Sequence, residues 1–135
     1  DGPVSNNSLN MFQEMKFASL LHKIHTSNPT TLPAELALKL ATTNGAKTLN
    51  LEEEIGSIEV GKKADIILLN LNSINFFPIS SPKSLFSHLV YSAGNDSVET
   101  VIVNGRILMK NGEILTVNEE KVRKMGEKLI LQLSD

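Results

Sequence analysis

The sequence predicts an α+β chain, helical to about residue 50, mostly β from there to about residue 117, and closed by a helix. Three observations carry this expectation. Residues 9–25 repeat apolar side chains at helical spacing. Two Asn-Gly pairs, Asn104-Gly105 and Asn111-Gly112, sit between strand-like runs, and Asn118 precedes an apolar stripe of helical period.

The first eight residues, DGPVSNNS, are rich in turn formers and read as a loop feeding the first helix. Ser5, Asn6 and Asn7 are placed to cap that helix. On a helical wheel at about 100° per residue, only a narrow arc holding Lys16, Ser19 and Lys23 is polar. Met11, Met15, Phe17, Ala18, Leu20, Leu21 and Ile24 cover most of the rest. A helix this apolar expects neighbours on more than one side.

Residues 27–31 break the helix, and Pro33 suits a first helical position, with Glu35 in the first turn. Leu36, Ala37, Leu40 and Ala41 then share one face, residues 42–45 end or kink the element, and a short helical turn follows over 46–49. From Ile55 the pattern changes. Ile58-Glu59-Val60 alternates like a short strand, Gly61-Lys62-Lys63 is a solvated turn, and residues 64–69 form a β-branched strand expected to be buried on both faces. Residues 70–82 read as loop and 83–91 as a short helix.

Asn-Gly favours a two-residue type I′ turn, because both positions need positive φ. The first pair sets Val103 opposite Arg106 and Ile102 opposite Ile107; the second sets Lys110 opposite Glu113. A three-stranded meander over 98–117 results. Asn118 then caps a last helix with Glu119 and Glu120 in its first turn and Val122, Met125 and Leu129 as its stripe.

At 135 residues, 41% apolar and 21% charged, the composition is that of an ordinary globular protein. A net charge of −2 gives no reason to expect a nucleic acid partner. The absence of cysteine removes disulfides, thiolate metal sites and thiol nucleophiles, and fits a cytoplasmic location. No apolar run approaches the ~18 residues that would span a membrane. The opening on Asp1-Gly2-Pro3 without an initiator Met leads to the expectation of a trimmed or proteolysed piece of a longer protein.

Several segments point to one family. Leu32-Pro33-Ala34-Glu35, followed by Leu40-Ala41-Thr42-Thr43-Asn44-Gly45-Ala46-Lys47, resembles the LPA…MATINGAKAL stretch of the metal-dependent amidohydrolases. Residues 55–66, IGSIEVGKKADI, are similar to their GSIExGKKADI signature. Ser87-His88-Leu89-Val90-Tyr91 with Val101-Ile102-Val103-Asn104-Gly105-Arg106 resembles a run found in deaminases of S-adenosylhomocysteine and methylthioadenosine, and in triazine chlorohydrolases. The opening Asp1-Gly2-Pro3, Ser5-Asn6-Asn7 and Leu9-Asn10-Met11-Phe12 resembles that subgroup's GTDGxxSNNxLDMF.

The resemblance implies a (β/α)₈ barrel joined to a small β-sandwich. Residues 1–50 would be the barrel's last loop and closing helices, and 51–135 the C-terminal share of the sandwich with its terminal helix. A complete barrel needs about 200 residues or more, so most of it would lie outside this chain. The implied parent chemistry is hydrolysis of a non-peptide C–N bond, with deamination of adenosine derivatives as the leading reading. Triazine dechlorination, guanine or cytosine deamination, and a non-catalytic assembly module are the alternatives.

Asp1 alone matches a residue of the implied machinery, as ligand of one divalent metal (zinc, or iron as the alternative) and acceptor of a proton from its water. Ser5 and Asn6, which follow it, and His88 are secondary candidates for substrate contact. His22 and His25 share a helix face at i, i+3 but lack a polar cluster around them, so a packed or end-of-helix role is expected. His88 is expected to tie the sandwich to the barrel by a hydrogen bond, and Asp65 to hold the entry to its strand. One carboxylate does not make a metal site. The chain alone is therefore expected to bind no metal, to be inactive, and to bury its apolar helix by self-association. Its parent would act on a nucleoside-like or heterocyclic small molecule.

Overall fold

Asn10 starts the first helix. In the computed structural model, which describes residue 5 and residues 7–133, its side-chain oxygen accepts from the backbone N–H groups of Phe12 (3.1 Å) and Gln13 (3.2 Å). The cap is thus nearer the helix than expected. Ser5 is exposed, Asn6 lies outside the described residues, and Ser8 hydrogen-bonds the Gln13 side chain. Helix α1 spans Met11–Thr26 and ends on Ser27, whose positive φ of 49° lets its N–H reach back to the last carbonyls. Helices α2 (Ala34–Ala41) and α3 (Thr43–Thr48) follow, with Pro33 at the start of α2 as its fixed φ favours.

The core lies where α1 and α2 meet α4 (Pro82–Tyr91). Phe12, Met15, Ala34, Ala37 and Val90 form its buried centre, with Leu32, Leu38, Leu69, Phe86 and Val98 packed around it. This cluster draws residues from both sides of position 50. α4 begins at a capping box in which Ser81 and Ser84 each bond the other's backbone.

The face that α1 turns inward corrects the wheel. Ser19, assigned to the polar arc, is 0% exposed, whereas Phe17, Leu21 and Ile24 are 47%, 60% and 74% exposed. Met15 of the apolar set is buried beside Ser19 and Lys16 of the polar arc is exposed, so the inward face mixes the two arcs; Ser19 costs little to bury because its hydroxyl is hydrogen-bonded.

β1 (Ile66–Leu69), β2 (Val98–Val103), β3 (Arg106–Lys110) and β4 (Glu113–Ile114) form one antiparallel sheet in sequence order. Both Asn-Gly turns form with positive φ at all four residues, and the pairs Val103–Arg106, Ile102–Ile107 and Lys110–Glu113 are those the turns dictate. β1 adds to β2, with Ile67 opposite Val101. The expectation of an α+β chain holds.

Two β expectations fail. Residues 58–60 form no strand: no strand pairs with them among the described residues, and Val60 is fully exposed. β1 is not buried on both faces, since Ile67 and Leu68 are about half exposed (48% and 50%). It is an edge strand, with β2 its one partner among the described residues. The linker over 70–82 contains a single 3₁₀ turn, Ile74–Phe76, that buries Phe76. The last helix, α5 (Glu119–Leu133), is capped by Asn118, whose side chain accepts from the Lys121 N–H at 2.9 Å. None of its described residues is buried, and its stripe of Val122, Met125 and Leu129 faces solvent.

Candidate functional site

The densest polar constellation among the described residues joins α1, the turn before α2, and α4. The Ser19 hydroxyl donates to the Leu32 carbonyl at 2.7 Å and lies 2.7 Å from the Tyr91 hydroxyl. A serine has one proton to give, so Tyr91 is the donor in that second bond. The Lys23 ammonium donates to Ser19 Oγ (2.7 Å) and to the carbonyls of Thr31 (2.8 Å) and Leu32 (2.9 Å), using all three of its protons. It also sits 5.9 Å from the centre of the Tyr91 ring. Leu32 needs this support: its φ of 47° is left-handed, a conformation costing a branched residue about 1–2 kcal/mol. With every donor spent internally, the knot holds three elements together and leaves no group free to attack a substrate.

A second knot orders the segment before β1. Lys62, expected to be solvated, has a side chain only 16% exposed and donates to the Glu52 carbonyl and the Ser57 hydroxyl, both at 2.7 Å. Bonds from Ser57 and Lys62 hold the Glu59 carboxyl below the usual carboxylate range. Lys63 pairs with Glu54, which raises its pKa, and Lys39 lowers that of Glu35. Asp65 has the conformational role expected of it: its Oδ1 accepts from the Asn104 N–H at 2.6 Å, joining the entry of β1 to the β2–β3 turn.

Of the candidates drawn from sequence, Asp1 and Asn6 lie outside the described residues, and Ser5 is exposed. His88 Nε2 lies 3.1 Å from the Pro78 carbonyl, with its ring 6.2 Å from that of Phe76. It fastens the linker to the helix it leads into. The reason is local: one and a half turns into α4, its side chain reaches back over the segment entering that helix. His22 Nδ1 is 3.0 Å from the Ala18 carbonyl, and His25 is exposed.

No three His, Asp or Glu groups among the described residues converge as metal ligands. The described residues by themselves therefore supply no ligand set, and Asp1 lies outside them. An open depression of about 550 Å³ lies beside residues 111–114 and 117–119, and it gathers no histidine. No helix among the described residues is long and apolar enough to cross a membrane. The Ser19–Lys23–Tyr91 knot was not foreseen from sequence, although the i, i+4 spacing of Ser19 and Lys23 was a signal for part of it.

Among the described residues, the two knots of internally bonded polar groups tie together a helical layer and the segment entering an antiparallel sheet. The chain belongs to the amidohydrolase family, whose model matches residues 1–108. It is similar to the 5-methylthioadenosine/S-adenosylhomocysteine deaminase of Desulforudis audaxviator, 46% identical over 98% of this chain and 30% of that protein. The deaminase of the same name from Thermoanaerobacter pseudethanolicus is 50% identical over 95% of this chain and 29% of its own length. The 5'-deoxyadenosine deaminase of Methanobrevibacter smithii is 46% identical over 100% of this chain and 31% of its own.

Among solved structures, a zinc-bound adenosine deaminase from Xanthomonas campestris superposes with a TM-score of 0.92 and 31% identity, over 99% of this chain and 30% of that one. The zinc-complexed atrazine chlorohydrolase TrzN from Arthrobacter aurescens shares the fold, with a TM-score of 0.74 at 24% identity, over 88% of this chain and 26% of that one. The chain spans about three tenths of the length of the curated relatives it matches.

Proposed function

We propose that this chain is the barrel-closing and sandwich part of a hydrolase that deaminates adenosine derivatives. One observation carries the reading: identity of 46–50% over 95–100% of the chain with enzymes named for deaminating 5-methylthioadenosine, S-adenosylhomocysteine and 5'-deoxyadenosine. In that reaction water adds to the ring carbon bearing the exocyclic amine, the C–N bond breaks, and ammonia leaves a carbonyl behind. Residues 1–50 belong to the barrel in this reading and 51–135 to the sandwich, with Asp1 as the residue that touches the reacting atoms. A divalent metal, zinc or alternatively iron, belongs to the same reading; the described residues offer it no ligand set. The two knots act as frame, fixing α1 and the strand that follows the GKKADI segment.

The chain by itself would not turn over, and it would associate through the apolar face of α1. The test is ammonia release from the three nucleosides by the gene product expressed at the length of its relatives, beside the 135-residue chain alone. We expect release from the long form, loss of at least about a hundredfold in Asp1→Asn, and none from the short chain. Absence of release from all three nucleosides, or full activity in Asp1→Asn, would overturn the proposal. Chloride release from atrazine by the long form would move the assignment to the chlorohydrolases.

A further inference from the structure

Three Asn-Gly pairs occur in the sequence, at 44–45, 104–105 and 111–112. In such a pair the glycine nitrogen can attack the amide carbonyl of the asparagine side group. A new C–N bond closes a five-membered imide, the C–N bond of the asparagine amide breaks, and ammonia departs with the proton the glycine nitrogen loses. Water then opens the imide to aspartate or isoaspartate, so the protein and water are the only reactants. Backbone geometry governs the rate, because the glycine nitrogen has to leave its hydrogen bond and approach the amide carbon.

The three sites differ in how firmly that geometry is refused. Asn44-Gly45 lies in the first turn of α3, where helical backbone angles hold the glycine nitrogen away from the side chain. Asn104-Gly105 is tied twice: the Asn104 N–H to the Asp65 carboxylate at 2.6 Å, and the Gly105 N–H to the Ala64 carbonyl at 3.1 Å. At Asn111-Gly112 the Gly112 N–H bonds the Glu99 carbonyl at 3.0 Å, and among the described residues no carboxylate is bonded to Asn111 as Asp65 is to Asn104. The strand this turn leads into, β4, has two residues, both exposed. Short, exposed ladders open most readily.

We propose that Asn111 is a site of spontaneous deamidation, converting ahead of Asn104 and Asn44 in the folded protein. The product has a structural consequence. A new carboxylate would join Glu113 and Glu119 among the residues lining the depression. Isoaspartate would also lengthen by one atom a two-residue turn that needs positive φ at both positions. β4 and the approach to α5 would be released, while β1–β3 stay paired.

Trypsin places the three pairs on separate peptides, 40–47, 84–106 and 111–121. The whole protein, aged at mildly alkaline pH and sampled over days, should show amide-to-acid conversion first in 111–121. The lead over 84–106 should be about tenfold, since one hydrogen bond to a charged acceptor is worth a decade or more of local opening. Peptide 40–47 should convert last. In urea the three rates should converge. Asp65→Ala should raise conversion at Asn104 and leave that at Asn111 unchanged. Earlier conversion at Asn104 or Asn44, the same ranking in urea, or no response of Asn104 to Asp65→Ala would each overturn the proposal.

Discussion

At the scale of single residues, Ser19 is the position around which α1 is oriented. It is a small polar group on an otherwise apolar helix, buried because its hydroxyl simultaneously serves Leu32, Lys23 and Tyr91. Ser19→Ala removes a donor to Leu32 and an acceptor from both Lys23 and Tyr91, so we expect a loss of about 1–3 kcal/mol. Tyr91→Phe deletes one bond and leaves Ser19 satisfied by the other two, with an expected loss of about 0.5–1.5 kcal/mol. Urea denaturation of both variants and the double variant checks this. The double should cost less than the sum, because the Ser19–Tyr91 bond is lost only once. Equal costs for the two single variants would mean that Lys23 finds another acceptor. The sequence displayed these residues but hid their role: Ser19 and Tyr91 stand 72 positions apart. Nothing local foretells that the turn carrying Leu32 would take a left-handed residue in need of two donors.

At the scale of elements, what was legible was whatever local chemistry decides. The Asn-Gly turns dictated their strand pairs, Asn118 its helix and Pro33 the start of α2, since each acts within a few residues. What failed depended on a partner. Residues 58–60 alternate like a strand, but a ladder needs a neighbour, and β1's apolar run could not disclose that both its faces would stay partly uncovered. Instead, Gly56 and Gly61 shape the segment between α3 and β1, with φ of 92° and 94°. A Cβ on Gly56 would lie 2.6 Å from the Ala46 Cβ and 3.2 Å from the Thr42 carbonyl, whereas one on Gly61 would meet open space. Gly61→Ala should therefore cost only the left-handed strain, about 1 kcal/mol. Gly56→Ala should cost at least about 2 kcal/mol, because either α3 or the turn has to move. Denaturant midpoints compare the two directly, and equal shifts would show that α3 yields without resistance.

At the scale of the whole molecule, the decisive feature is apolar surface without cover. Phe17, Leu20, Leu21 and Ile24 lie exposed along α1, and α5 buries none of its described residues. The sequence showed that α1 was too apolar for solvent; it did not show which side would be uncovered, because that was settled by the Ser19 knot on the opposite face. Burial of a Leu or Ile side chain is worth about 1.5–3 kcal/mol. A patch of four such residues therefore supplies ample drive for association once entropy costs are met. In the longer protein proposed above, the additional residues would cover this face; the 135-residue chain has only other copies of itself. Light scattering at micromolar concentration should then report a mass above that of the monomer. Leu21→Lys combined with Ile24→Lys should return it to the monomer with helix content by circular dichroism unchanged, since both side chains lie outside the core. A monomeric unmodified protein would show that this surface is tolerated in water. Association that survives the double substitution would shift the contact to the exposed stripe of α5, a distinction that Met125→Lys would then resolve.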